Sequence, residues 1–247
     1  MNFEGGTFLV TGAASGIGGA CARLLAERGA AKLVLVDRDE IAPGLSCAVD
    51  RFTGDVGDPA LWERIEEARY PLDGAVLNAG VSSGAPLAQL GFEEWRRVLG
   101  TNLDGMFLSL RCAMRLARDG ASLVCMASVS GLKAEAGTGA YGASKAGVIQ
   151  LAKVAAKEGA ARGVRVNALA PGGVDTPIWD AEPFFRDLVE RHGGDRQAAL
   201  DAMAGAATPL GRFSTAEEIA GQAAFLLSGD SAGITGAVLV NDGGYSL

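Results

Sequence analysis

The chain has 247 residues, of which 49% are hydrophobic, and its 22 basic and 29 acidic residues give a formal net charge of −7. A chain of that length buries about three quarters of its unfolded surface, which suits one α/β domain over residues 1–247. Acidity without a block of like charge excludes a general binder of nucleic-acid backbones. The longest uncharged run, Gly74 to Phe92, carries Asn78, Ser82, Ser83, Pro86 and Gln89, so no membrane span is expected. Met1-Asn2-Phe3-Glu4 lacks a basic leader, and a cytoplasmic protein is the expectation. Cysteines at 21, 47, 112 and 125 have no metal-type spacing, so reduced thiols are expected, with no protein-held catalytic metal.

Short apolar, β-branched runs alternate with longer helical patterns along the chain, as in βαβ units that build a parallel sheet buried on both faces. Strands are expected at Thr7 to Thr11, Lys32 to Asp37, Val49 to Gly54, Gly74 to Asn78, Ser122 to Ala127, Arg165 to Ala170 and Val238 to Asn241. Helices are expected at Gly16 to Arg28, Pro59 to Arg69, Phe92 to Arg118, Tyr141 to Arg162 and Thr215 to Leu227, with shorter ones at Pro183 to Arg191 and Arg196 to Ala204. The pattern predicts a three-layer α/β fold of the Rossmann type, with a seven-stranded parallel sheet between two helical layers. In such sheets ligands bind outside the carboxyl ends of the strands. The connection from Asp37 to Val49 is too short for a full crossover helix, so a reduced helix or a loop is expected around Asp39 to Gly44.

The first strand runs into Thr11-Gly12-Ala13-Ala14-Ser15-Gly16-Ile17-Gly18 and then a helix. Glycines allow a tight strand-to-helix turn and bring backbone N–H groups and the helix N-terminus against a pyrophosphate. Asp37 closes the second strand 19 positions after Gly18, close to the ~20 expected for an acid that accepts hydrogen bonds from an adenosine ribose. Its carboxylate favours NAD over NADP, whereas Arg38 could turn toward a 2′-phosphate. A strand-end residue that caps a turn is the structural alternative for Asp37.

Tyr141 and Lys145 lie four apart on one helix face, with Ser128 thirteen residues upstream. A phenol with an ordinary pKa near ~10 is a poor proton carrier at neutral pH, and a neighbouring ammonium is what could lower it. Asn102 falls on the stripe Trp95, Leu99, Asn102, Met106, Leu110, where an apolar side chain would pack better; a buried amide there needs partners.

The glycine turn, Ser128 and the Tyr141-x-x-x-Lys145 pair resemble the short-chain dehydrogenase/reductase family from Thr7 through Asp242-Gly243-Gly244. The resemblance implies that Tyr141 exchanges the substrate hydroxyl proton, Lys145 lowers its pKa and binds the nicotinamide ribose, and Ser128 holds the substrate oxygen. It gives Asn102 a place in a proton relay, against the alternative of a structural amide. It assigns Gly12, Ser15, Gly16, Ile17 and Gly18 to the pyrophosphate turn, Asp55-Val56 to adenine, and Asn78-Ala79-Gly80 to the ribose. Pro171, Gly172, Val174 and Thr176 would fix the carboxamide side. NAD, a secondary alcohol or ketone with a hydrophobic or cyclic body, and a homotetramer are the implied cofactor, substrate and assembly.

Residues 175–211, with Trp179, Phe184, Phe185 and Met203, are either ordinary packing or a mobile substrate lid. His192, the sole histidine, is read as a solvated lid residue, not a hydrolase base. A 3-oxoacyl-carrier-protein reductase and a catalytically silent dinucleotide sensor remain the alternatives.

Overall fold

The computed structural model describes all residues, 1–247. The strands β1 (Thr7–Thr11), β2 (Lys32–Asp37), β3 (Ala48–Thr53), β4 (Leu72–Leu77), β5 (Ala117–Met126) and β6 (Arg165–Pro171) are joined late in the chain by β9 (Val238–Asn241). They form one seven-stranded sheet in the order β3-β2-β1-β4-β5-β6-β9, parallel at every pair. A separate two-stranded parallel pair, β7 (Val174–Asp175) with β8 (Ser214–Thr215), was not foreseen from the sequence.

Side chains alternate between the two faces of the central strands, as the two-residue strand period requires. Leu9, Val34, Val36, Ala75, Leu77, Leu123, Cys125, Val166 and Ala168 enter one core with α2 (Pro59–Glu67), α4 (Gly105–Leu116) and α5 (Gly139–Gly159). Phe8, Val10, Leu33, Leu35, Val76, Val124, Met126 and Leu169 enter the other with α1 (Gly16–Glu27) and α8 (Ala216–Leu227). Burial on both faces explains why these strands read as nearly continuous apolar runs.

Local chemistry sets several element ends. Asp58 accepts a hydrogen bond from the Ala60 N–H at the start of α2, with Pro59 in the first turn. Thr215 and Glu218 form a reciprocal capping box at α8. The β2–β3 connection contains no helix, so the loop alternative for Asp39 to Gly44 holds.

The expected single helix over Phe92 to Arg118 is corrected by the structure. It is divided into α3 (Phe92–Leu99), a π-helical turn over Gly100–Asp104, and α4, and it stops at Leu116 because Ala117 begins β5. Gly100 and Gly105 flank the widened turn; a Cβ added at Gly105 would lie 2.7 Å from Val56 Cγ2. Asn102 lies within this turn and is completely buried.

Candidate active site

The strand order reverses direction between β1 and β4, and the crevice at their carboxyl ends is where an open parallel sheet offers a ligand site. Thr11 holds that crevice in shape. Its buried hydroxyl accepts hydrogen bonds from the backbone N–H of Asn78 (2.8 Å) and of Ala79 (3.0 Å). Asn78 returns its amide to the Thr11 carbonyl at 3.3 Å and the Gly12 carbonyl at 3.5 Å. Asn78 therefore bridges the ends of β1 and β4. The sequence reading did not single out the Thr11 side chain, although a polar residue at the inner end of an apolar strand was the available signal.

Two glycines are obligatory in the turn. Gly12 has φ +67°, and a Cβ there would meet Asn78 Nδ2 at 2.7 Å. A Cβ at Gly18 would lie 2.0 Å from the Gly12 carbonyl oxygen. Ser15 is the extended N-cap residue of α1, but its side chain makes no capping bond and the first turn carries no acid. The N-terminal N–H groups of Gly16, Ile17 and Gly18 are thus left for an anion.

Asp37 sits beside this turn. One carboxylate oxygen accepts from the Ala14 N–H at 2.8 Å, and the other from Asp39 N–H at 3.0 Å. Arg38 is exposed and lies 3.8 Å from the Asp39 carboxylate. At the end of β3, Asp55 accepts from the Gly57 N–H at 2.8 Å, and buried Val56 gives its carbonyl to the Trp62 indole at 2.7 Å. A Cβ at Gly80 would stand 3.3 Å from Asn102 Oδ1 and 3.4 Å from Lys145 Nζ, so only glycine keeps that space clear. The free N–H groups at the start of α1, the Asp37 carboxylate and the Lys145 amine are donor and acceptor types that suit the pyrophosphate and ribose groups of a dinucleotide.

Ser128, Tyr141 and Lys145 converge from two elements. Ser128 follows β5 in extended backbone and accepts the Ser130 N–H at 3.2 Å. The turn after it packs so closely on α5 that a Cβ at Gly131 would meet the Lys145 carbonyl carbon at 2.7 Å. Lys145 is 3% exposed, its Nζ 5.6 Å from the Tyr141 ring centre and donating to the Met126 carbonyl at 3.0 Å. Burial pushes the Lys145 amine down to about 8. It also pushes the Tyr141 phenol up, with the Ser128 hydroxyl pulling the other way. The expected lowering of the phenol by Lys145 is therefore not realised in the chain by itself. The amine is engaged with Met126, and desolvation of the phenol is the larger effect.

Asn102 ties this group together. Its carbonyl oxygen accepts from Val81 N–H at 2.8 Å, and its amide donates to the Val81 carbonyl at 2.9 Å and to Ser144 Oγ at 3.2 Å. Ser144 in turn donates to the Tyr141 carbonyl at 2.7 Å. The side-chain amide thus fastens the strand end after β4 to the helix that carries Tyr141 and Lys145.

Past β6, Pro171 belongs to the strand end and Gly172 fits tightly against Asp242. The Val174 carbonyl accepts the Trp179 indole N–H at 2.7 Å, and Thr176 is buried against Gly16. Trp179 stacks on Phe213, and Phe185, Ala199 and Leu200 form a small third core with Trp179 and Met203 at its edge. Phe184 stays exposed, so Trp179, Phe184, Phe185 and Met203 split between packing and surface. His192 ends α6 (Pro183–Arg191) and contacts the Leu188 carbonyl at 2.9 Å, remote in role from the Ser128 group.

A family model described as enoyl-(acyl carrier protein) reductase matches residues 12–246. A cis-4-hydroxycyclohexanecarboxylate dehydrogenase from Sinomonas cyclohexanicum is 38% identical, covering 96% of this chain and 95% of that protein. A 3-oxoacyl-acyl-carrier-protein reductase from Thermotoga maritima is 35% identical, covering 99% of both. Among solved structures, levodione reductase is 32% identical over 99% of both chains with a TM-score of 0.86. The chain belongs to the short-chain dehydrogenase/reductase family, oxidoreductases that act on CH–OH groups and use NAD(P).

Proposed function

We propose that this protein interconverts a secondary alcohol and its ketone with NAD, on a substrate with a hydrophobic or cyclic body. The convergence of Ser128, Tyr141 and Lys145 close to Gly80 carries the reading. The Gly12–Gly18 turn, Asp55, Val56, Asn78, Ala79 and Gly80 would hold the adenosine and pyrophosphate side, and Pro171, Gly172, Val174 and Thr176 the nicotinamide side. When bound, the nicotinamide supplies or accepts a hydride.

Tyr141 serves as proton donor during ketone reduction and as acceptor during alcohol oxidation; burial holds its phenol above the ordinary pKa in the chain by itself, and the Ser128 hydroxyl acts in the opposite, useful direction. Ser128 orients the substrate oxygen, and Lys145 binds the ribose hydroxyls. Asn102 holds the relay side through Val81 and Ser144. Asp37 is fixed by Ala14 where ribose hydroxyls would donate to it, and a 2′-phosphate there would meet like charge. Residues 175–211 act as the lid of a single catalytic unit spanning 1–247, and a cytoplasmic homotetramer is the proposed form. No helix is long and apolar enough to cross a membrane.

The apolar body is favoured by exposed Leu87, Leu132, Ile178 and Phe184 on the loops and lid. An acyl-carrier substrate is the second reading, favoured by the Thermotoga maritima relative. A docked acidic carrier needs free basic side chains; Arg23, Arg115, Arg118, Arg162 and Arg212 each hold an acidic partner, whereas exposed Arg64, Arg96, Lys153 and Arg186 make no ion pair. The test is a panel of alcohols and ketones assayed with NAD(H) and NADP(H). The proposal predicts turnover of cyclic members with higher kcat/KM for NAD(H). Comparable kcat/KM with both cofactors would remove the role given to Asp37, and NADH binding without turnover of any member would favour the silent sensor.

A further inference from the structure

Glu182 is 7% exposed, yet its carboxylate makes neither a hydrogen bond nor an ion pair within the chain. It is the N-cap residue of α6, but its side chain does not cap that helix. Isolated buried carboxylates are costly, and most have a cation or several N–H donors beside them. Arg97 attracts this carboxylate through space without bonding it, because its guanidinium grips Glu94 through two bonds of 2.7 Å and donates to the Ser82 carbonyl at 2.9 Å. On the lid, Arg196 is committed too, donating to Asp180 at 2.8 Å and to Asp175 at 2.7 Å.

The position of this carboxylate gives it a use. A Cβ added at Gly84 would lie 3.6 Å from Glu182 Oε2, which puts the oxygen against the loop that leaves β4. That loop begins at Gly80, beside Asn102 and Lys145. It continues to Ala85, whose N–H donates to the Gly137 carbonyl at 2.9 Å, just ahead of the helix bearing Tyr141. The Glu182 N–H itself bonds the Trp179 carbonyl at 2.9 Å, on the turn that follows Thr176. Glu182 thus sits at the seam between the lid and the loop that spans from the lysine to the tyrosine helix. Its oxygens are not sealed off from solvent space.

We infer that Glu182 determines substrate specificity, accepting a hydrogen bond from a second hydroxyl or an ammonium on the far side of the substrate from the reacting carbon and rejecting a carboxylate there. This deepens, and rests on, the reading of the protein as a dehydrogenase of cyclic alcohols. It separates the chain from the relative whose name specifies a hydroxycyclohexanecarboxylate, because two carboxylates placed side by side at this seam repel. A hydroxyl or ammonium instead supplies the missing donor.

The experiment compares kcat/KM of the NAD-loaded enzyme for cyclohexanol, cis-1,4-cyclohexanediol, cis-4-aminocyclohexanol and cis-4-hydroxycyclohexanecarboxylate. Wild type should prefer the diol and the amino alcohol over the carboxylate by at least about tenfold, and Glu182→Gln should narrow the amine-to-carboxylate ratio by at least about tenfold. A purely structural role for Glu182 would lower all four together and leave the ratio alone. A wild-type enzyme that handles the carboxylate as well as the diol overturns the inference, and this needs no variant. So does an unchanged ratio in Glu182→Gln. Turnover of none of the four while NADH still binds would sink the cyclic-alcohol reading, and this inference with it.

Discussion

Replacing Lys145 with Met should make the cofactor-free chain more stable at neutral pH while abolishing its activity. The Lys145 amine is buried with one carbonyl partner, and burial depresses it from 10.5 to about 8. That depression converts to roughly 3 kcal/mol of destabilisation wherever both states carry the charge. Loss of the bond to Met126 offsets about 1–2 kcal/mol of the gain, so the variant should be stabler by roughly 1–2 kcal/mol near neutrality. The sign follows from proton counting. The folded value lies below the unfolded one, so between about pH 8 and 10.5 the unfolded chain binds more protons, and the wild type gains stability as pH rises. Between about pH 7 and pH 9.5 that gain amounts to about 2 kcal/mol, and the advantage of the variant should shrink or reverse. Urea unfolding of both proteins at equal protomer concentration measures it, with other titrating groups cancelling in the difference. A difference that does not change with pH would refute the claim that this amine is buried at a cost.

Other expectations follow from the same geometry. Thr11→Val removes the acceptor of two backbone N–H groups and should cost about 1–3 kcal/mol in urea unfolding, with a raised KM for the cofactor. An unchanged midpoint would mean that the crevice does not depend on that hydroxyl. Gly18→Ala drives a methyl into the Gly12 carbonyl, and the displaced turn should weaken NADH binding on the order of a hundredfold in a fluorescence titration. Wild-type affinity would show that the turn does not carry the pyrophosphate.

Features set by short-range spacing were legible in the sequence. The glycine turn, Asp37 at the end of β2 and the four-residue step from Tyr141 to Lys145 each depend on neighbours in the chain, and the alternating apolar runs located all seven strands of the sheet. The helix from Phe92 was misjudged because a helical stripe continues through a π turn with only a small rotation. The stripe did expose Asn102 as an odd polar residue, but its partners, Val81 and Ser144, are brought to it by the fold. Thr11 and Glu182 were missed for the same reason: a hydroxyl in an apolar strand and an acid before a proline look ordinary until burial is known. The balance at Tyr141 was also out of reach, since spacing reveals a nearby cation and says nothing of how far the phenol is stripped of water.

The central claim is that the Tyr141 hydroxyl carries the substrate proton. The most direct test is kcat of Tyr141→Phe alongside its NADH affinity. The account predicts a fall in kcat of about 10²–10⁴ with cofactor affinity little changed. Turnover at the wild-type rate with the phenol removed would contradict it.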